Sequence, residues 1–161
     1  AIPDIIKKNK NCRFIFTGDG YLKKKYETLV SELDVTKYTE FLGWQKMENI
    51  AELLRSSMIF VSPAKSDGNN ISLNEAMACG CFPIASDIPA NRQWIIDGNN
   101  GYLVEAYKPE ILAEKIIYAI ENTELRRRAS EINKMIIEER GDWNKQLLKI
   151  NRIYSELVSK K

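Results

Sequence analysis

Histidine is absent from this chain of 161 residues, which removes imidazole general-base catalysis and every histidine-based metal site. Any chemistry falls to carboxylates, amides, hydroxyls and lysines. Cysteine is scarce: Cys12, Cys79 and Cys81 form an odd set with no CxxC pair, which argues against a disulfide framework and a zinc knuckle. Unpaired thiols fit a reducing cytosol. No apolar run approaches the ~20 residues that cross a bilayer, and the opening AIPDIIKKNK has no signal-peptide core, so the chain reads as soluble. There is no strong excess of one charge either. The formal net charge is +2 with both signs scattered, unlike the concentrated basic footprint of a nucleic-acid binder, and nucleic acid is not expected as a partner. A chain of ~160 residues is about one domain with one compact core.

What is present is an alternation. Short apolar runs stand at Arg13 to Gly18, Thr39 to Gly43, Met58 to Pro63, Cys81 to Ser86 and Gly101 to Val104. Segments long enough for crossover helices separate them at Tyr21 to Leu33, Lys46 to Ser56 and Ile71 to Cys79. The pattern predicts βαβ units around a doubly wound parallel sheet, its strands buried on both faces. Beyond Val104 the sequence turns helical, over Glu110 to Glu121 behind Pro109, then Leu125 to Glu139, then an amphipathic segment from Asp142 onward behind Gly141. The chain opens on the tail of a helix, Pro3 to Asn9, with no strand before it, although a doubly wound sheet usually opens with one. The expectation is one domain over 1–161, lacking its first strand, with a C-terminal amphipathic helix over 142–161.

The loop SDGNN, Ser66 to Asn70, follows the apolar run MIFV and precedes a helix starting near Ile71. It therefore lies at the carboxyl end of a strand, the edge where open α/β sheets bind ligands. Asp67, Gly68, Asn69 and Asn70 turn a chain at little steric cost, and the helix start leaves the N–H groups of Ile71, Ser72 and Leu73 free, an arrangement suited to phosphate. At ~100° per residue, Leu73, Ala76, Met77 and Gly80 share one arc that faces the sheet. Glu75 lies off that arc, and its side chain leans back toward the loop where Asp67 stands. Spacing alone leaves two readings open. Either the two carboxylates flank an anion-binding helix end, or Asp67 caps a loop and Glu75 is a solvated helix residue.

Asp67 and Glu75, eight positions apart and followed by AMACG, resemble the paired acidic motif of family 4 retaining glycosyltransferases of the GT-B fold. FIFTGDG (Phe14 to Gly20), FLGW (Phe41 to Trp44), FVSPAKSDG (Phe60 to Gly68) and FPIASDIPANRQWIIDGNNGYLV (Phe82 to Val104) are similar to that family's other motifs in order and spacing. The resemblance implies the C-terminal, Rossmann-like donor-binding half of such an enzyme, moving a hexose from a nucleotide-diphosphate sugar to a glycan or lipid-linked acceptor. It casts Asp67 and Glu75 as the catalytic pair, Asp67 on donor-sugar hydroxyls and Glu75 on ribose hydroxyls. Ile71 and Ser72 would take the diphosphate, and Gly18, Asp19 and Gly20 would line the cleft. Gly43 and Trp44 would sit near the base, with Ser62, Gly68, Asn70 and Leu73 completing the donor site. It implies no metal and no cofactor, an acceptor held by an N-terminal domain, a microbial cytoplasm, and peripheral contact of the whole enzyme with the inner membrane face.

The match has departures. Asp67 stands where that family more often carries Glu, so its reach is one methylene shorter, and Gln93 replaces a usual Glu. The family's diphosphate-gripping basic pair falls upstream of Ala1. Lys65 precedes the loop as a substitute, or is an exposed loop lysine. The GDG turn could simply end a strand, and Trp44 could be ordinary packing. The charge runs LKKK (Leu22 to Lys25) and RRR (Arg126 to Arg128) read as solvated helix faces. From another functional class, the alternative is a non-catalytic nucleotide-binding module of α/β fold.

Overall fold

In the computed structural model, residues 1–159 are described. Runs rich in Phe, Ile and Val form β1 (Phe14–Thr17), β2 (Thr39–Gly43), β3 (Ile59–Ser62), β4 (Phe82–Ser86) and β5 (Tyr102–Val104). The helices between and after them are α1 (Ile2–Lys8), α2 (Lys23–Glu32), α3 (Met47–Ser56), α4 (Ile71–Ala78), α5 (Pro89–Arg92), α6 (Pro109–Glu121), α7 (Thr123–Ile136) and α8 (Trp143–Ser159). Every strand pair is parallel, as the βαβ reading requires. The strands fall into two ladders, β1–β2 and β3–β4–β5.

Side-chain alternation along the second ladder builds two apolar clusters in place of the single core expected from chain length. Phe82 and Ile84 of β4, with Tyr102 and Val104 of β5, pack beneath α1, α6 and α7 through Ile5, Ala113, Ile116, Ile117 and Ala129. Ala85 on the opposite face meets Leu73 and Met77 of α4, together with Trp94 and Ile95. Helices on both faces make the fold doubly wound and Rossmann-like. All of β4 is buried, as predicted for a parallel strand. β1 is not: Ile15 is 37 % and Phe16 41 % exposed, because this strand has a neighbour on one side only.

Two further differences from the sequence reading are local. The short helix α5 was not anticipated. The expected helix over 125–139 ends as α-helix at Ile136 and continues as one π-helical turn, Ile137–Gly141, where a backbone insertion shifts the register. The amphipathic segment after Gly141 forms α8, which carries no buried residue; its last two expected members, Lys160 and Lys161, lie outside the described residues. Among the described residues no helix is long and apolar enough to cross a membrane.

Two local features have measurable consequences. A Cβ at Gly101 would lie 2.7 Å from the Pro83 carbonyl oxygen and 2.8 Å from Pro83 Cγ, so β5 can start against β4 only with glycine there. Gly101→Ala is expected to cost about 1–3 kcal/mol by overpacking, read from the urea midpoint at unchanged slope. The Cys81 thiol is fully buried and donates to the Leu54 carbonyl at 3.0 Å; burial pushes its pKa up to about 12. At pH 8, iodoacetamide should leave Cys81 unmodified in the folded protein and alkylate it in urea, as mass spectrometry will report.

Candidate functional site

The β3–α4 junction is organised from beneath by Asn70, a buried residue at the N-cap of α4. Its side-chain oxygen accepts from the Leu73 amide at 3.1 Å, so this first-turn donor, expected from the sequence to be free, is already occupied. Its amide nitrogen donates to Ser62 Oγ and to Asn91 Oδ1, each at 3.0 Å. Asn91, also buried, donates to the Ser86 carbonyl at 2.8 Å. The Ser86 hydroxyl in turn donates to the carbonyl oxygens of Ser62 and Ala64. The carboxyl ends of β3 and β4, the loop and the starts of α4 and α5 are thereby tied into one polar network with its buried groups paired.

The rim of the loop is exposed. Asp67 Oδ1 accepts from the Asn69 amide at 3.1 Å, an Asx turn that holds the carboxylate over the bend. A Cβ at Gly68 would touch nothing within 4 Å, so its hydrogen side chain leaves open approach to the backbone. Asn69 Oδ1 accepts from Trp94 Nε1 at 3.3 Å, and the Arg140 guanidinium stacks 4.9 Å from the Trp94 ring centroid. Among the described residues, no acceptor meets the amides of Ile71 and Ser72. Their dipoles and that of α4 leave a positive helix end facing the rim.

Leu73, Ala76 and Met77 are fully buried, as the arc argument expected. Glu75, one turn into α4, is half-buried, and among the described residues it forms no salt bridge and no side-chain hydrogen bond. Its carboxylate is free for a ligand. Lys65 is exposed, with its amine 4.6 Å from the Tyr107 ring centroid, so it stacks on an aromatic neighbour. Arg92 is engaged with Asp87 through bonds of 2.6 and 3.0 Å. This bidentate guanidinium contact holds the Asp87 carboxyl below the usual carboxylate range.

A second group forms at the carboxyl ends of β1 and β2. Gly18 and Gly43 both adopt positive φ, +104° and +67°, and the Gly18 amide donates to the Gly43 carbonyl at 2.7 Å. Asp19 Oδ1 accepts from the Gly20 amide at 2.8 Å, a turn-stabilising bond. Trp44 is 73 % exposed, so it is not packed within the described residues and presents a bare aromatic surface beside Gly43. Lys23 sits with its amine 3.6 Å from the place of a Gly43 Cβ. Sequence reasoning treated it as part of a solvated charge run, and only its position in the first turn after the GDG loop could have singled it out. Asn91 and Trp94 were missed as well; their polar atoms meet residues 21 and 25 positions away. Among the described residues no group of three or more acidic, cysteine or histidine side chains gathers as a metal set.

Residues 1–135 match the family model of glycosyl transferases group 1. The chain belongs to that family. It is 33 % identical over 157 residues to an uncharacterized glycosyltransferase of Methanocaldococcus jannaschii, covering 98 % of this chain and 43 % of the relative. It is 28 % identical to the phosphatidyl-myo-inositol mannosyltransferase of Mycobacterium tuberculosis, covering 98 % of this chain and 42 % of that one. The chain thus spans less than half the length of these relatives. The sucrose-phosphate synthase of Thermosynechococcus elongatus superposes with a TM-score of 0.88 at 19 % identity, covering 99 % of this chain and 42 % of that structure. TarM of Staphylococcus aureus, solved with UDP and α-GlcNAc-glycerol, superposes with a TM-score of 0.85 at 23 % identity, covering 94 % and 31 %. These likenesses establish a Rossmann-like half of the GT-B fold for this group 1 member.

The Asn70–Asn91 bond gives the arrangement a specific test. Asn91→Ala leaves one Asn70 donor without its buried acceptor and the Ser86 carbonyl with only the Ile88 amide. It should cost about 1–3 kcal/mol in denaturant unfolding. In the same variant, hydrogen exchange at the amides of Asn69 to Leu73 should accelerate more than at β5.

Proposed function

We propose that this group 1 chain is the donor-binding half of a family 4-type retaining glycosyltransferase, which moves a hexose from a nucleotide-diphosphate sugar to a glycan or lipid-linked acceptor. The observation that carries the reading is the β3–α4 junction: a helix end with free amides, held rigidly from below by Asn70, with Asp67 on the rim and the unpaired Glu75 one turn behind. TarM, of the same fold, was solved with UDP, and the same ligand class suits these residues.

The diphosphate would meet the amides of Ile71 and Ser72, whose dipoles stabilise charge as the leaving group departs. Ser62 and Leu73 act through Asn70, which fixes where those amides point. Glu75 would accept from the ribose hydroxyls and Asp67 from hydroxyls of the donor sugar, with Gly68 admitting the ligand close to the backbone. The nucleobase would lie against Gly43 and Trp44, with Gly18, Asp19 and Gly20 lining the opposite wall. Holding donor and acceptor in reacting geometry supplies much of the rate, and charge stabilisation by amides needs neither metal nor organic cofactor. The acceptor would be held by a further domain, in a cytoplasmic enzyme peripheral to the membrane that carries lipid-linked acceptors.

The test is an NMR amide-shift titration of this chain with UDP, GDP and ADP, without metal and then with magnesium. Shifts grouped at Gly18 to Gly20, Gly43 to Trp44 and Ile71 to Glu75 for one nucleotide support the reading. Silence at millimolar concentrations in both the native chain and one carrying its acceptor domain sinks it. Glu75→Ala should weaken nucleotide binding about 10- to 100-fold, the range expected for a lost hydrogen bond to a charged group. In an active enzyme containing this chain, it should lower transfer by on the order of 100-fold through misplacement of the donor.

A further inference from the structure

Trp94 is held from two directions by one helical segment. It is buried in the cluster of Leu73, Met77 and Ala85, on which Ile136 and Ile137 from the end of α7 also pack. Its main chain is fixed separately. The Trp94 carbonyl accepts from Asn100 Nδ2 at 2.9 Å, and the same amide group donates to Asn133 Oδ1 of α7 at 2.7 Å. Asn133 returns a bond of 3.0 Å to the Asn100 carbonyl, and the Asn100 side-chain oxygen accepts from the Ile96 amide at 2.7 Å. Both asparagines are fully buried, and a buried polar pair with its partners in place is rigid.

The ring face is the second hold. The π-helical turn Ile137–Gly141 that continues α7 carries Arg140, whose guanidinium stands 4.9 Å from the Trp94 ring centroid. Among the described residues Arg140 forms no salt bridge, so the ring is its partner, and a cation is attracted to that face. Single π-helical turns of this kind collect at functional sites.

Tryptophan donates through one atom only, and burial requires a partner for it. Here the partner is the rim of the candidate site. Trp94 Nε1 donates to Asn69 Oδ1 at 3.3 Å, and the Asn69 amide donates to Asp67 Oδ1 at 3.1 Å. Asn69 and Asp67 are exposed. A rigid, buried side chain therefore grips an exposed loop at the residue whose amide holds the Asp67 carboxylate.

We infer that Trp94 is a positioning residue for Asp67. By holding Asn69 it fixes the Asx turn, and with it the place of the Asp67 carboxylate beside the amides of Ile71 and Ser72. Asn100, Asn133 and Arg140 act one step further out, by fixing Trp94. The junction then has two separate supports: Asn70 sets the amides that would meet a diphosphate, and Trp94 sets the carboxylate that would meet the donor sugar. The inference rests on the proposed role of Asp67, and it brings α7 and its π-helical turn into the support of sugar recognition.

Two variants break the same bond from opposite sides. Trp94→Phe removes the N–H and keeps most of the ring, and Asn69→Ala removes the acceptor without touching the buried cluster. Both, and the double variant, are compared with the native chain of 161 residues by NMR. Without ligand, exchange of the residue 69 amide with water should rise at least about threefold in each, as a loosened turn opens more often. Titrations follow with UDP, GDP and ADP and with UDP-glucose, GDP-mannose and ADP-glucose. For the nucleotide that binds, each variant should weaken the sugar conjugate about 3- to 10-fold, the range of one hydrogen bond, and the bare nucleotide by less than about twofold. The double variant should bind no more weakly than the weaker single one, because one bond cannot be lost twice. A merely structural role for Trp94 would weaken nucleotide and conjugate alike, and that outcome overturns the inference. So do additive losses in the double variant, or an unchanged residue 69 amide. If the native chain binds neither class of ligand, the donor reading fails instead, and the amide exchange alone decides whether Trp94 holds the Asp67 turn.

Discussion

A single buried amide, that of Asn70, sets the geometry on which the candidate site depends. Its oxygen caps α4 at Leu73 while its nitrogen bridges Ser62 and Asn91. No other short side chain can do all three: aspartate would keep the cap but lack both donors, and serine offers one donor and a shorter reach. Because Asn91 and Ser86 close the circuit back to the β3 end, the start of α4 is fixed relative to two strands at once. Polar networks of this kind are costly when half-satisfied and rigid when complete, so the junction has one favoured arrangement.

That rigidity is confined to the base of the loop. Above Asn70, residues Ser66 to Asn69 are exposed and held by lighter contacts, the Asx turn of Asp67 and the bond from Trp94 to Asn69. The division suits a binding role. Backbone amides that would meet a ligand's charge sit on the rigid part, and the carboxylate that would recognise variable hydroxyls sits on the adaptable rim. Glu75 combines features of both, being anchored in α4 while its carboxylate stays unpaired.

The sequence disclosed what depends on local periodicity. The alternation of apolar runs and helical segments predicted the parallel ladders, and the spacing of Leu73, Ala76 and Met77 predicted the buried face of α4. The placement of Ile71 and Ser72 at a helix start followed from the same reasoning. Long-range pairing was invisible. Asn91 and Trp94 lie in a segment without periodic signal, and their importance comes from partners across the loop. Lys23 was hidden because a run of three lysines at 23–25 gives no reason to prefer one, whereas the fold puts its amine above Gly43. The exposure of β1 escaped composition because FIFT describes a strand's interior chemistry and says nothing of how many neighbours it has. The π-helical turn at Ile137–Gly141 had no marker beyond Gly141 itself.

The two loop groups differ in how they are coupled to the rest of the molecule, and this bears on how a ligand would act. The Ser66–Asn70 loop is braced by the larger ladder and two clusters of buried side chains. The Gly18–Gly43 pair belongs to a two-stranded ladder whose cross-strand side-chain contacts include the Phe16–Phe41 stack at 4.9 Å and the Arg13–Glu40 ion pair, and a two-stranded unit has little stability of its own. A nucleotide spanning both groups would therefore gain most of its rigid contact from α4 and would order the β1–β2 side as it bound. Ordering costs conformational entropy, so affinity in this fold depends on how firmly the smaller ladder is already held against the larger one. On that reading, the hold of the smaller ladder on the larger one would tune the candidate site even though neither β1 nor β3 need touch a ligand with a side chain.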